Sequence, residues 1–335
     1  VNGWGGAYSP PEFGLSVYIV FQFLSVLCYI SKQVFFALFP VEMPIRTLFM
    51  LFICFCGLYF QVFAGIFGHV AWAGEPRVSA VLSSEIRPYM QAMDGLRSVF
   101  PSYIPTFSMA NPELAARTLQ TNDYERVVVV GSNAARLAVQ NVSDKKKIVI
   151  LMVLDIRENF GDGLCGVDMR VPLEEELRGI SEQLGVNLRV AALFSTEENA
   201  MRVREAEKAA KKLGVRLTSW RVAERADALN RLNSDAGSVD CLLFLPDPIF
   251  DSETFISHLV KTALLNGVAP VGYNRFFVET GAVLAFNLDY TGIGRQGSAF
   301  LNDMGMCGIL APAFQVEING KSLELVQRQW KERRP

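Results

Sequence analysis

Asp247 stands between two prolines at the end of an apolar run, in the stretch "LLFLPDPIFDS" from Leu242 to Ser252. A carboxylate there does one of two things. It meets a cationic group on a ligand at the mouth of a sheet, or it caps the helix that the pattern reopens near Ser252. Other apolar runs end in the same way: Ser83 and Ser84 close "RVSAVLSS", Ser132 and Asn133 follow "RVVVVG", and Asp155 ends "KKIVILMVLD". Ser195 and Thr196 follow "LRVAALF", and Tyr273 and Asn274 follow "VAPVG", with Phe276 and Phe277 just beyond. Hydroxyls and amides at helix N-termini can hold a ligand carboxylate, since unpaired backbone N–H groups and the positive dipole end lie there. Asp155 and Asp247 can take an ammonium, and Tyr273 or Phe276 can stack on a ring. Ordinary helix capping by the same residue types is the competing explanation for each position taken singly.

Bond-making chemistry has no comparable set of residues. The chain has two histidines, His69 in the leader and His258 on an expected helix, so neither a histidine metal cluster nor a histidine-based triad is expected. No G-x-S-x-G elbow and no P-loop occur. "GDGLCG", Gly161 to Gly166, matches G-x-G-x-x-G in form, but Pro172 delays the helix that a dinucleotide site needs. It reads as a connection between lobes. No catalytic residue, cofactor or metal is therefore expected. Charge is nearly balanced, with 32 basic and 34 acidic residues, so there is no electrostatic footprint for nucleic acid.

The elements that must position these residues alternate in type. From Arg77 onward, short apolar strands are separated by amphipathic helices of ten or more residues, the pattern of parallel α/β sheets. Helices are expected near 84–99, 172–184, 196–213, 224–233 and 252–266. The recurrence on both sides of 161–171 predicts two similar sheets.

Residues 1–73 form a hydrophobic leader with few charges. Its second apolar stretch, 47–70, follows "MPIR" and precedes Ala71-Trp72-Ala73, the order of a signal peptide over about 43–73 with Met43 as the start. The same stretch is long enough for a membrane anchor, and Lys32 and Arg46 between the two apolar stretches favour a cytoplasmic link. Either arrangement exports the remainder. Beyond the leader, Cys165, Cys241 and Cys307 form an odd set that cannot pair completely; Cys241 opens a strand and reads as a small apolar residue.

In order and spacing, "VVVVGSNAAR", "KKIVILMVLD", "AALFSTEEN" and the long block from "DCLLFLPDPIF" through "PVGYNRFFVETGAVLAFNLDYTGIGRQGSAFL" resemble a known family. It is that of ABC transporter substrate-binding proteins with tryptophan- and tyrosine-binding members. The resemblance covers about 77–325. It implies a class I periplasmic-binding-protein fold: two Rossmann-like lobes with parallel sheets, lobe 1 at 77–160 plus 282–304 and lobe 2 at 166–281 plus 305–328. The tail from "AFQVEING" would return as a short terminal pair. The first lobe departs from the pattern around "PSYIPTFSMANPELAART", and the chain after Leu325 is short and basic.

The implied function is capture of a small ligand, an amino acid or a related aromatic or carboxylate compound, between closing lobes, without chemistry. The implied partners are an ABC permease and ATPase, in the periplasm or another extracytoplasmic space. Membrane contact is expected through the leader if it is uncleaved. The leader also keeps open a membrane-tethered ligand-sensing or partner-binding domain of the same fold. Under the implied topology Asp247 faces the cleft.

Overall fold

A computed structural model of the chain describes residues 77–333 except Pro101, Asn122 and Asp123. The expectations on the leader, its start, cleavage and anchoring, lie outside the described residues. Among those described, no helix is long and apolar enough to cross a membrane.

The first sheet has the order β11-β5-β4-β3-β1-β2, and all its pairings are parallel. It comprises β1 (Val78–Leu82), β2 (Thr106–Ser108), β3 (Arg126–Val130), β4 (Ile148–Val153), β5 (Cys165–Asp168) and β11 (Ile309–Leu310). Every residue of β3 and β4 is buried, because helices cover both faces of the sheet. One face packs on α1 (Arg87–Val99) and α10 (Tyr290–Asn302). The other packs on α2 (Pro112–Thr121), α3 (Ser132–Asn141) and the short α4 (Ile156–Phe160).

The second sheet has the order β12-β10-β9-β8-β6-β7. Its members are β6 (Arg189–Phe194), β7 (Arg216–Arg221), β8 (Cys241–Phe244), β9 (Ala269–Gly272), β10 (Leu284–Leu288) and β12 (Phe314–Ile318). Only β12 runs antiparallel to its neighbour. One core joins this sheet to α5 (Leu173–Leu184), α6 (Glu197–Lys212) and α11 (Gly320–Arg333). A second core lies against α7 (Arg225–Asp235), α8 (Glu253–Leu265) and α9 (Arg275–Glu279).

The chain passes between the sheets after β5, after β10 and after β11. These crossings differ from the boundaries expected from the sequence. Residues 166–168 belong to the first sheet and β10 to the second, because each strand completes its pairing before the chain leaves in the next loop. The 305–310 stretch returns to the first sheet as β11 and not to the second lobe. "GDGLCG" is likewise not the connection between lobes: Gly161 and Gly163 turn at positive φ, and the remainder enters β5. The tail is more than a strand pair. Leu323, Val326 and Trp330 recur at helical spacing, so α11 forms and packs on the second lobe.

Glycines in "YTGIGRQG" serve close packing. A Cβ on Gly294 would lie 1.8 Å from the Ala92 carbonyl oxygen, and one on Gly95 2.0 Å from that of Thr291. Only bare backbone lets α1 and α10 approach so closely. Cys165 and Cys307 form a disulfide that ties β5 to the turn before β11. Beside it the buried Arg126 guanidinium donates to the Met304 carbonyl at 2.6 Å, the Met306 carbonyl at 3.0 Å and the Lys146 carbonyl. The pairing resolves part of the odd cysteine set; Cys241 is buried in β8.

Candidate functional site

At the crossings lies a cavity of about 790 Å³. Lobe 1 contributes Gln91, Leu154, Tyr290 and Thr291, and lobe 2 contributes Glu176, Pro246, Tyr273, Asn274, Phe276, Asn287, Gln315 and Glu317. The first crossing adds Met169, Arg170 and Val171. The walls therefore mix aromatic faces with carboxylates, amides and the guanidiniums of Arg170 and Arg275, a composition suited to a small polar molecule with an apolar face.

Of the residues expected from the sequence, Tyr273, Asn274 and Phe276 line this cavity. They sit there because β9 ends at Gly272 and α9 begins at once, turning the next residues along the sheet edge. Burial raises the Tyr273 phenol above its ordinary pKa, and the charge of Asp247 adds to that. Phe277 points inward: it is fully buried, and a Cβ on Gly272 would lie 2.1 Å from its ring.

Asp247 does not face an open cleft with spare acceptors. Its oxygens accept from Ser195 N (2.9 Å) and Oγ (2.5 Å), Thr196 N (3.2 Å) and Oγ1 (3.2 Å), Asn199 Nδ2 (2.9 Å) and Ile249 N (3.1 Å). A carboxylate has about four lone-pair sites, so its capacity is filled. Burial pushes its pKa up, but hydrogen bonds from Ser195, Asn199 and Ile249 outweigh that and hold it below the usual range. Nor does it cap α8, whose first turn is capped by Ser252 Oγ accepting from Phe255 N at 3.4 Å. Asp247 instead binds the end of β8 to the start of α6. That contact uses both the hydroxyl and the backbone N–H of Ser195.

The serines of lobe 1 do not line the cavity. Ser83 Oγ accepts from Ala134 N at 2.9 Å, supplying α3 with the cap that Gly131 lacks a side chain to give. Ser132 and Asn133 are exposed at the start of α3, and Ser84 is half-buried after β1.

Asp155 is engaged as well. Arg170 pairs with Asp155 of lobe 1 and with Glu198 of lobe 2, so one guanidinium on the first crossing spans both lobes. The Asp155 carboxyl is pushed up to about 7, first by burial, with Arg170 opposing and Glu198 and Asp168 adding like charge. Asp168 in turn accepts from the backbone N–H groups of Asp155, Ile156 and Arg170. Among the described residues, Asp155, Glu158 and Glu198 bring carboxylate oxygens within 4.8 Å of one another, and the Arg170 guanidinium already serves two of them.

Glu176 was not singled out from the sequence, although a signal was present. It occupies the apolar stripe of α5 with Leu173, Leu177 and Ile180, where a helix ordinarily places a core residue. It is 2 % exposed. Burial pushes it up to about 7, against the lowering influence of Arg202 and Arg170. Arg202 is held by Asn199 Oδ1 at 3.0 Å and by the Val171 carbonyl at 3.2 Å. Asn287, also missed, donates to Glu317 at 2.6 Å from the end of β10. Its place in the alternating pattern of that strand gave no distinguishing signal.

No protein-family model matches the chain, and no curated protein matches it. Solved structures do. A substrate-binding protein with adhesive properties from Clostridium difficile, in its ligand-free, open structure, aligns with a TM-score of 0.60 at 12% identity, over 75% of this chain and 95% of that one. Weaker likenesses are an ABC domain in complex with L-Trp from Streptococcus pneumonia (TM-score 0.48, 15% identity, 75% and 95% of the two chains) and a conserved domain protein from Vibrio cholerae (0.47, 18%, 76% and 95%). At such identities the likeness speaks for architecture alone: the described chain has the class I periplasmic-binding-protein fold, two mostly parallel α/β lobes joined by crossing segments.

Proposed function

We propose that this chain is the solute-binding component of an ABC importer, which captures a small molecule between its lobes and presents the closed form to a membrane permease. The observation that carries the reading is the cavity at the crossings, lined from both lobes. A ligand that touches both lobes favours closure by its difference in affinity for the two states. No bond needs to be made or broken. Tyr273, Phe276 and Tyr290 suit an apolar or aromatic face, and the amides and charged groups suit an amino acid or related compound. The fold shared with the Clostridium difficile substrate-binding protein supports the same role. An extracytoplasmic location is supported by the Cys165–Cys307 disulfide, since such bonds persist in oxidising compartments.

Native mass spectrometry of freshly purified protein tests the proposal. A single small molecule per chain is expected, released on denaturation and missing from an Asn274→Trp variant that fills the cavity. Recovery without any bound small molecule, or with equal amounts in both proteins, would overturn it.

A further inference from the structure

The two carboxylates expected from the sequence to meet a cation are engaged by the protein itself: Asp247 is saturated and Asp155 is paired with Arg170, while on the cavity wall Glu317 accepts from Asn287 and Asp289 caps α10. Glu176 offers what these do not. It lines the cavity, it is 2 % exposed, and its Oε2 has no hydrogen-bond partner among the described residues. Asn287 Oδ1, on the wall of the same cavity, is also a buried acceptor without a partner. Unmade hydrogen bonds at buried polar atoms are costly, so both acceptors call for a donor from outside the chain, and the buried Arg170 Nε on the same wall, also without a partner, suits an acceptor carried beside it.

The charge balance around Glu176 indicates which donor. A continuous set of contacts links Asp155, Asp168, Glu198 and Arg170, and Arg202 is joined through Asn199 to Asp247. Arg170 and Arg202 are the cations that act on Glu176. With Glu176 included, five carboxylates face two guanidiniums, and Arg170 is already shared between Asp155 and Glu198. A further anion placed against Glu176 would meet this surplus. A cation would relieve it.

We propose that the ligand presents a protonated primary amine to the Glu176 carboxylate, and that the Asn287 side-chain oxygen accepts a second hydrogen bond from the same molecule. This assignment rests on the solute-binding reading and narrows its ligand class to amines. Binding holds Glu176 in its ionised form, so affinity for the amine is greatest above pH 7 and falls as the pH drops and the carboxyl takes up a proton. Asp155 titrates in the same range, facing Arg170, Glu198 and Asp168, so the Glu176 variant is needed to separate the two.

The test is thermal stabilisation of the full chain in mild detergent at pH 8 by two matched sets of probes. One set contains L-phenylalanine, L-leucine, phenethylamine and putrescine. The other contains L-phenyllactate, L-2-hydroxyisocaproate, 3-phenylpropionate and D-arabinose. At least one amine is expected to stabilise the protein while its counterpart does not. Glu176→Gln should weaken that amine by about tenfold or more and leave the unliganded melting temperature unchanged or higher. Should the Gln variant fail to fold, Glu176→Met serves instead. Stabilisation by the second set alone would overturn the amine assignment and leave the solute-binding reading standing. Amine affinity unchanged in the Glu176 variants would overturn the role of that residue, and no stabilisation by either set would overturn both readings.

Discussion

The two lobes end their strands on the same residue types and use them differently. In lobe 1 the helix α3 opens on exposed Ser132 and Asn133, with a single cap borrowed from Ser83. In lobe 2 the corresponding edge is knotted around Asp247, which gathers donors from Ser195, Thr196, Asn199 and Ile249. Lobe 1 is held at its β4–β5 edge, where Asp168 accepts from the backbone of Asp155, Ile156 and Arg170, and by the disulfide and the Arg126 guanidinium at the β5–β11 side of its sheet. The lesson is that a polar residue at a strand end is committed to the scaffold wherever neighbouring strand ends converge on it, and is available to a ligand only where they do not.

The largest effect that would test this contrast is loss of the covalent tie in lobe 1. Cys165 and Cys307 are 142 residues apart, and chain entropy alone gives such a cross-link about 5 kcal/mol. Replacing both cysteines by serine should lower the denaturant midpoint of lobe 1 and leave the fluorescence transition of Trp220, in lobe 2, in place. Equal shifts of both transitions would mean that the lobes unfold as one unit.

Next in size is the knot in lobe 2. Asp247→Ala leaves three backbone N–H groups and the Asn199 amide short of an acceptor, a loss of about 2–4 kcal/mol. Chemical denaturation should show it without any ligand present. A stable variant with only its ligand response removed would return Asp247 to the binding site.

Arg170→Met should cost less, about 1–2 kcal/mol, because the ion pairs are partly solvated. It leaves Asp155 and Glu198 facing each other, so the loss should be larger at pH 8 than at pH 5. A loss independent of pH would show that the guanidinium acts through packing alone.

A further effect separates two carboxylates of lobe 2 by sign. Glu176 has a folded-state pKa raised from 4.5 to about 7, so its contribution to stability is present below the unfolded value and lost as the pH rises through 7. Asp247 is depressed, so its contribution is present above the unfolded value and lost on acidification. Melting temperatures of Glu176→Gln between pH 5 and 8 should therefore fall less than those of the unsubstituted protein. An identical pH profile would show that Glu176 does not carry that dependence.

Much of the scaffold was legible because its signals are local. Runs such as "RVVVV" and "IVILMV", and helices opened by Thr196 and Ser252 caps, declare themselves in a few residues. β2 and α2, within the stretch that departed from the family pattern, and the two-residue β11 were missed, because short strands in polar surroundings carry little periodicity. The crossings were misplaced since sheet membership depends on partners far away in sequence: β10 pairs with β9 and β12, and nothing in "LAFNL" says so. The site was only partly readable. Tyr273, Asn274 and Phe276 follow from a strand end, whereas the commitment of Asp247 and Asp155 to protein donors appears only when distant segments meet. Glu176 could have been found as a charge on an apolar stripe.

Closure on a ligand is the central claim, and the distance between the lobes reports it directly. Spin labels on Arg136→Cys in α3 and Ala223→Cys after β7 occupy exposed positions, one in each lobe. Pulsed electron resonance with the amine that stabilises the protein should give a shorter and narrower distance distribution than without it, and Asn274→Trp should abolish the change. A distribution unaltered by every stabilising molecule would contradict the account.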